Sequence, residues 1–277
     1  MPDIMLNGQL VAGHEACIPV SDRGFRFGDG VFETIRMENG KAWRWDWHMQ
    51  RLAGGLAAIR IDYDTQTLAA QCARLLARNN HTHGLLRIQI TRGSSGHGYL
   101  PAHGKPTCVI ETLPLAPVPD APVSLWLSTY RRISRRSLPV QSKLCQGLNS
   151  TLARLEAHEH QCFEALQLNT KGIVCEASSS NILWSIMGTL FTPALDAGVL
   201  DGTTIHAIGE NTAIQPILAS LKDMEKADAV CIANVAWGAL PVNSLLPNAL
   251  QWDSAALARK LNELLSADQQ KNSKTLE

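Results

Sequence analysis

The chain lacks an excess of charge of either sign: Lys plus Arg number 25 and Asp plus Glu number 25, so the formal net charge at pH 7 is zero. A protein that wraps nucleic acid carries a basic excess, and that class is set aside. No uninterrupted apolar run approaches the roughly 18 residues that suggest a membrane span. Met1-Pro2-Asp3-Ile4-Met5 has no basic segment ahead of an apolar one, so no signal peptide is visible. Close cysteine pairs are missing as well. Cys17, Cys72, Cys108, Cys145, Cys162, Cys175 and Cys231 are scattered and odd in number. That pattern argues against a disulfide framework and a zinc site, and for a reducing compartment. The expectation is a soluble cytoplasmic protein with no nucleic-acid or membrane partner and no metal. What the chain has in quantity is apolar surface, 45% of its residues, enough for a sizeable core.

Its 277 residues fit two domains or one large one, at roughly 100–200 residues each. Val31 to Trp45 alternates around Asn39-Gly40, which predicts a hairpin because both central residues of a type I′ turn need positive φ. Asp46 is then expected to cap a helix with the stripe Met49, Leu52, Leu56 and Ile59. A second helix carries Leu68, Cys72, Leu75 and Leu76 and stops at Asn79-Asn80, with strands over 85–91 and 107–113. Pro114, Pro117, Pro119 and Pro122 fall in one short stretch, which can be neither helix nor central strand. It is taken as a linker over 114–122, separating a small N-terminal domain (1–113) from a larger C-terminal one (123–277). The second part predicts a strand over 123–130 and a helix over 148–160. Hairpins follow around Lys171-Gly172 and Met187-Gly188, then a helix from Thr203, a strand over 229–232 and a last helix near Asp253. The polar tail 268–277 is expected to fray. This is an α+β or α/β chain in two lobes.

Four features could carry chemistry, each with a plainer alternative. Gly202-Thr203-Thr204 sits where a loop becomes a helix, which suits an anion or is an ordinary threonine cap. Lys143 is a nucleophilic amine if held among apolar groups, and otherwise a solvated surface lysine. Glu176 ends an apolar strand, Gly172-Ile173-Val174-Cys175-Glu176. It is either half-buried against a cation or a strand-end acid in water. Arg131, Arg132, Arg135 and Arg136 either meet phosphates or form a solvated loop.

Taken together and in order, these blocks resemble the fold-type IV pyridoxal-phosphate enzymes. That family includes branched-chain and D-amino-acid aminotransferases and 4-amino-4-deoxychorismate lyase. The resemblance runs from Leu6-Asn7-Gly8 to Pro241-Val242. It takes in Ser21-Asp22-Arg23, Phe27 to Thr34 (FGDGVFET), His48-Met49-Gln50-Arg51-Leu52, Lys143, Glu164-Ala165-Leu166, Gly172 to Asn181 and Gly198 to Thr204. It implies a two-lobed α/β fold, pyridoxal 5′-phosphate as cofactor and a homodimer. It also implies roles: Lys143 links covalently to the cofactor and shuttles protons, and Glu176 pairs with the pyridine nitrogen. Arg51, Thr203 and Thr204 hold the phosphate.

Within the family, Lys143 and Glu176 are 33 residues apart, a spacing similar to the lyase branch. The glycine-rich segment Thr91 to Tyr99 and the pair Ile232-Ala233-Asn234-Val235 and Leu240-Pro241-Val242 also resemble it. The resemblance therefore implies elimination of pyruvate from 4-amino-4-deoxychorismate, giving 4-aminobenzoate for folate synthesis. D-amino-acid or branched-chain transamination is the alternative. Arg92, His97 and Asn234 are the candidates for the substrate carboxylates, the plainer reading being a surface loop with an incidental histidine. Two departures sit beside the cofactor positions. Gln146-Gly147-Leu148 stands where relatives have Asn-Tyr-Leu or Asn-Arg-Leu, and Ile205-His206 follows the phosphate threonines where an arginine is common.

Overall fold

Apolar residues at every second position organise the N-terminal part of the chain. The computed structural model describes residues 1–277, and contacts divide them into two units. The first unit comprises residues 1–115, 142–146 and 272–277. Its elements are β1 (Ile4–Leu6), β2 (Gln9–Val11), α1 (Arg23–Phe27), β3 (Gly30–Glu38), β4 (Lys41–Trp43), α2 (Trp45–Ala58), α3 (Leu68–Arg78), β5 (Gly84–Thr91) and β6 (Thr107–Leu113). The strands form an antiparallel sheet in the order β4-β3-β5-β6-β1-β2. Along β3, Val31, Glu33, Ile35 and Met37 are all buried, because the period of two sends them to one face. Helix α2 gives Leu52 and Leu56, and α3 gives Leu68, Cys72 and Leu75, to a core shared with Leu86, Ile88 and Ile110. Each fully buried side chain of this kind contributes about 1.5–3 kcal/mol of transfer free energy.

The expected turn at Asn39-Gly40 is present, with φ of 51° and 72°. The expected Asp46 cap is not. The tight passage out of β4 puts Arg44 at the cap position, with φ 50° and no side-chain cap hydrogen bond, so Asp46 lies inside the first turn. There Asp46 meets the ammonium of Lys274 at 2.6 Å.

The second unit comprises residues 116–141 and 147–271. It contains β7 (Val123–Leu127), α4 (Leu148–Glu159), β8 (Glu164–Leu168), β9 (Val174–Ala177), β10 (Asn181–Ile186), β11 (Thr189–Pro193), α5 (Thr203–Asn211), β12 (Ile214–Ile217), α6 (Leu221–Met224), β13 (Ala229–Asn234), β14 (Gly238–Leu246), β15 (Leu250–Gln251) and α7 (Ala255–Lys271). A mixed sheet runs β12-β11-β10-β13-β14-β7-β8-β9, with β15 on β14. Both later hairpins turn where expected: Gly172 has φ 76°, and Met187 and Gly188 have φ 48° and 79°. Strand β13 is buried from Ala229 to Ala233, and Ala258, Leu261 and Leu265 of α7 are buried at helical spacing. Segment 114–122 contains no helix or strand.

The chain end does not fray. After α7, β16 (Ser273–Lys274) pairs antiparallel with β4 of the first unit's sheet, and Leu276 is buried in that unit's core. Strand β4 is otherwise an edge whose backbone groups lack partners, and the tail supplies them. The fold is thus mixed α/β, as expected, and it is built on two sheets. No helix is long and apolar enough to cross a membrane.

Candidate active site

Lys143 lies in the first unit, held by strand-like pairing to β3. Phe32 N–H donates to the Lys143 carbonyl and Cys145 N–H to that of Gly30, both at 2.9 Å, and Val31 and Leu144 form a bridge. The lysine is half-buried, and its Nζ lies 4.4 Å from the centre of the Phe32 ring. It is not a solvated surface lysine.

On the buried face of β3, Glu33 accepts from Arg51 Nε and Nη2, each at 2.7 Å, and from His48 Nδ1 at 2.7 Å. His48 and Arg51 are three residues apart on α2, so both project from one face of the helix. Burial alone would raise the Glu33 carboxyl, but the charge of Arg51 and the hydrogen bonds from Arg51 and His48 hold it down to about 2. Burial pushes His48 below its usual value, and Arg51 and Lys143 add to this against the pull of Glu33. A neutral imidazole facing an ionised carboxylate must carry its proton on Nδ1. His48 Nε2 is then an acceptor, and it is buried without a hydrogen-bond partner. The Arg51 guanidinium also lies over the Trp47 ring, 5.0 Å from its centre.

In the second unit, Glu176 is buried, not a strand-end acid in water. Its Oε1 pairs with Arg132 Nη2 at 2.7 Å, and Oε2 accepts from Leu200 N–H at 3.0 Å and Asn181 Nδ2 at 3.3 Å. One member of the arginine run is therefore committed to this acid.

Helix α5 begins at Thr203 with Gly202 as its cap residue and no side-chain cap bond. Thr203 and Thr204 are both 3% exposed, and Thr203 Oγ1 is buried without a partner. The ordinary threonine cap is thus excluded. A Cβ on Gly202 would fall 1.9 Å from Asn181 Oδ1, so the close approach requires glycine there. Ile205 and His206 line a cavity of about 390 Å³ with Cys175 and Pro193, and His206 pairs with Asp201 at 2.6 Å.

Following Glu176, the serine run is organised by a second buried acid. Glu164 accepts from Ser179 N–H at 2.9 Å, Ser178 Oγ at 3.1 Å and Ser179 Oγ. Burial pushes its carboxyl up, against the opposing pull of these serines and Arg154, and its Oε2 has no hydrogen-bond partner.

The three substrate candidates are placed differently. Arg92 clamps Asp29 through Nε and Nη2 at 2.8 and 2.9 Å and also donates to the Ile59 and Arg60 carbonyls. His97 is exposed in its loop. Asn234 Oδ1 accepts from Ala236 and Trp237 N–H, while its Nδ2 donates to Ser179 O and Ser180 Oγ. Arg23 is buried and donates to Asp29 and to the carbonyls of Ser95, Gly98 and Tyr99, pinning that same loop.

Sequence reasoning gave no role to Phe32, Glu33, His48, Glu164 or Asn181, and it read Arg132 as a phosphate contact or a solvated loop residue where the structure pairs it with Glu176. A signal existed for Glu33: an acid at the apolar phase of an alternating strand requires a buried cation. His48 and Arg51, at helical spacing, could supply it.

The pattern of the amino-transferase class IV family matches residues 30–245. The chain is 30% identical over 252 residues to the aminodeoxychorismate lyase of Bacillus subtilis, covering 88% of this chain and 85% of that one. It is 31% identical over 258 residues to a D-alanine aminotransferase of Listeria monocytogenes, covering 87% of each. Its fold matches the T.th. branched-chain amino acid aminotransferase, solved with pyridoxamine 5′-phosphate. There the TM-score is 0.91, with 21% identity over 100% of this chain and 99% of that one. By the extent of the family match and the identity to these relatives, the chain belongs to the amino-transferase class IV family, whose cofactor is pyridoxal 5′-phosphate.

Proposed function

We propose that the protein is a pyridoxal 5′-phosphate-dependent lyase that eliminates pyruvate from 4-amino-4-deoxychorismate, leaving 4-aminobenzoate for folate synthesis. The observation that carries the cofactor is Thr203 Oγ1, a buried hydroxyl without a partner at the uncapped start of α5. Oriented N–H groups and a hydroxyl there suit a phosphate. Arg51, Thr203 and Thr204 would hold that phosphate, Lys143 the aldehyde carbon and Glu176 the ring nitrogen. When bound, the cofactor supplies an electron sink that acidifies the C–H at the carbon bearing the substrate amine.

The chain's own contribution follows from its side chains. Arg132, Leu200 N–H and Asn181 orient the Glu176 carboxylate, whose negative charge favours a protonated ring nitrogen. Lys143 Nζ, as a neutral amine on a backbone fixed to β3, takes the substrate proton as the enolpyruvyl ether leaves the neighbouring carbon. The ring becomes aromatic, and the released enolpyruvate becomes pyruvate, so atoms balance without a further reactant. Arg92, His97 and Asn234 are proposed for the two substrate carboxylates, His97 being the exposed one of the three. A homodimer is proposed too, supported by the exposed apolar side chains of Val20, Phe25, Tyr99 and Leu100 in the first unit.

What supports the lyase over its sister reactions is the 33-residue spacing of Lys143 and Glu176 together with the glycine-rich loop after Thr91, and the identity to the Bacillus lyase is consistent with both. The similar identity to the Listeria aminotransferase favours a second reading, amine transfer from D-alanine to a keto acid. The test supplies purified protein with 4-amino-4-deoxychorismate and follows 4-aminobenzoate. Release at a steady rate is expected. No release, with D-alanine-dependent formation of glutamate from 2-oxoglutarate, replaces the lyase with the aminotransferase.

A further inference from the structure

Arg51 is held in place more elaborately than a solvent-facing arginine requires. Its side chain is 9% exposed, its Nε–Nη2 edge is taken by both oxygens of Glu33, and one ring face of Trp47 covers it. Glu33, 1% exposed, in turn receives a third bond from His48, which is fully buried. A bidentate guanidinium–carboxylate pair fixes the plane of the arginine, which a single point contact does not. Without such a brace, a long side chain loses rotamer freedom when it meets a ligand, which weakens binding. The imidazole has one place to put its Nδ1 proton, and that is on the Glu33 oxygen already shared with Arg51 Nη2. Rotation of the Glu33 carboxylate away from Arg51 would break the His48 bond as well. The order of dependence is therefore His48, then Glu33, then Arg51.

We propose that Glu33 and His48 are positioning residues that pre-set the Arg51 guanidinium for the phosphate of the cofactor. This rests on the reading of Arg51 as a phosphate ligand given above. Neither residue touches the phosphate in this scheme, and both act through Arg51. Their effect is accordingly confined to ligands that carry a phosphate.

The test titrates the full-length protein, stripped of cofactor, with pyridoxal 5′-phosphate and separately with pyridoxal, which lacks the phosphate. The readout is the ratio of the two dissociation constants. His48→Leu and Glu33→Gln are expected to lower the preference for the phosphorylated form by about tenfold, or ~1.4 kcal/mol. His48→Asn keeps an N–H at the position of Nδ1 and is expected to retain most of the preference. If His48→Leu does not fold, Glu33→Gln, which keeps the size of the side chain, decides by the same ratio. Equal weakening toward both ligands in His48→Leu and Glu33→Gln, while Arg51→Gln lowers the ratio, overturns this inference and leaves the phosphate reading standing. A ratio unchanged in Arg51→Gln overturns both.

Discussion

Lys143 meets Phe32 twice: its carbonyl accepts the Phe32 N–H at 2.9 Å, and its Nζ lies 4.4 Å from the centre of the Phe32 ring. One residue of β3 thus fixes the lysine backbone and gives its amine an aromatic face. The backbone part does not depend on the lysine side chain. Lys143→Ala is therefore expected to keep the native circular dichroism and unfolding transition. It should lose both product release and the visible absorbance that the cofactor gives the wild type. An Ala variant that keeps the absorbance would remove Lys143 from its proposed role.

Glu176→Gln exchanges a carboxylate for an amide that can offer one acceptor oxygen to three donors. Arg132, whose side chain is 13% exposed, would lose its counter-charge. The expected cost is about 1–3 kcal/mol of stability by denaturant titration, together with a fall in turnover. Turnover equal to wild type would separate Glu176 from catalysis.

Gly202→Ala places a methyl 1.9 Å from Asn181 Oδ1. Asn181 must then move, and its Nδ2 bonds to Glu176 and to the Leu200 carbonyl move with it. Overpacking of this kind costs about 1–3 kcal/mol, and cofactor affinity should fall in parallel. Calorimetry and cofactor titration check the two effects separately.

Acid should unfold the first unit early, for two reasons of the same sign. Glu33 is held at about 2 in the fold, so the unfolded chain binds its proton first, and stability is lost as pH falls from about 4.5 toward 2. His48 is held below its usual 6.5, so the unfolded chain also gains that proton first, and stability falls as pH drops below about 6.5. In Glu33→Gln the first loss disappears. A Glu33→Gln variant whose stability between pH 5 and pH 3 falls as steeply as the wild type's would contradict this.

Arg23 donates to the Ser95, Gly98 and Tyr99 carbonyls at 3.3, 2.6 and 3.1 Å. Arg23→Gln leaves most of these acceptors without a donor. Amide exchange in residues 94–101 is expected to accelerate while that of β5 stays near wild type, as mass spectrometry would show. If the loop carries substrate contacts such as His97, KM rises more than kcat falls.

What the sequence determined by itself is local. Asn39-Gly40, Lys171-Gly172 and Met187-Gly188 turn because their backbones favour or tolerate positive φ, and neighbours along the chain suffice to set that. Helices α2 and α3 were legible from the 3.6-residue spacing of Leu52 with Leu56 and Leu68 with Cys72 and Leu75. Gly202-Thr203-Thr204 was legible as the place where a loop becomes a helix, and α5 begins at Thr203. The tertiary structure decided what each polar group meets. Glu33 finds His48 and Arg51 on a different element, and Glu176 finds Arg132 far back in the chain. Asp46 lost its expected cap role and met Lys274 because the tail pairs with β4. A buried charge must be neutralised by whichever cation the packing brings near, and no short window of sequence records which one that is.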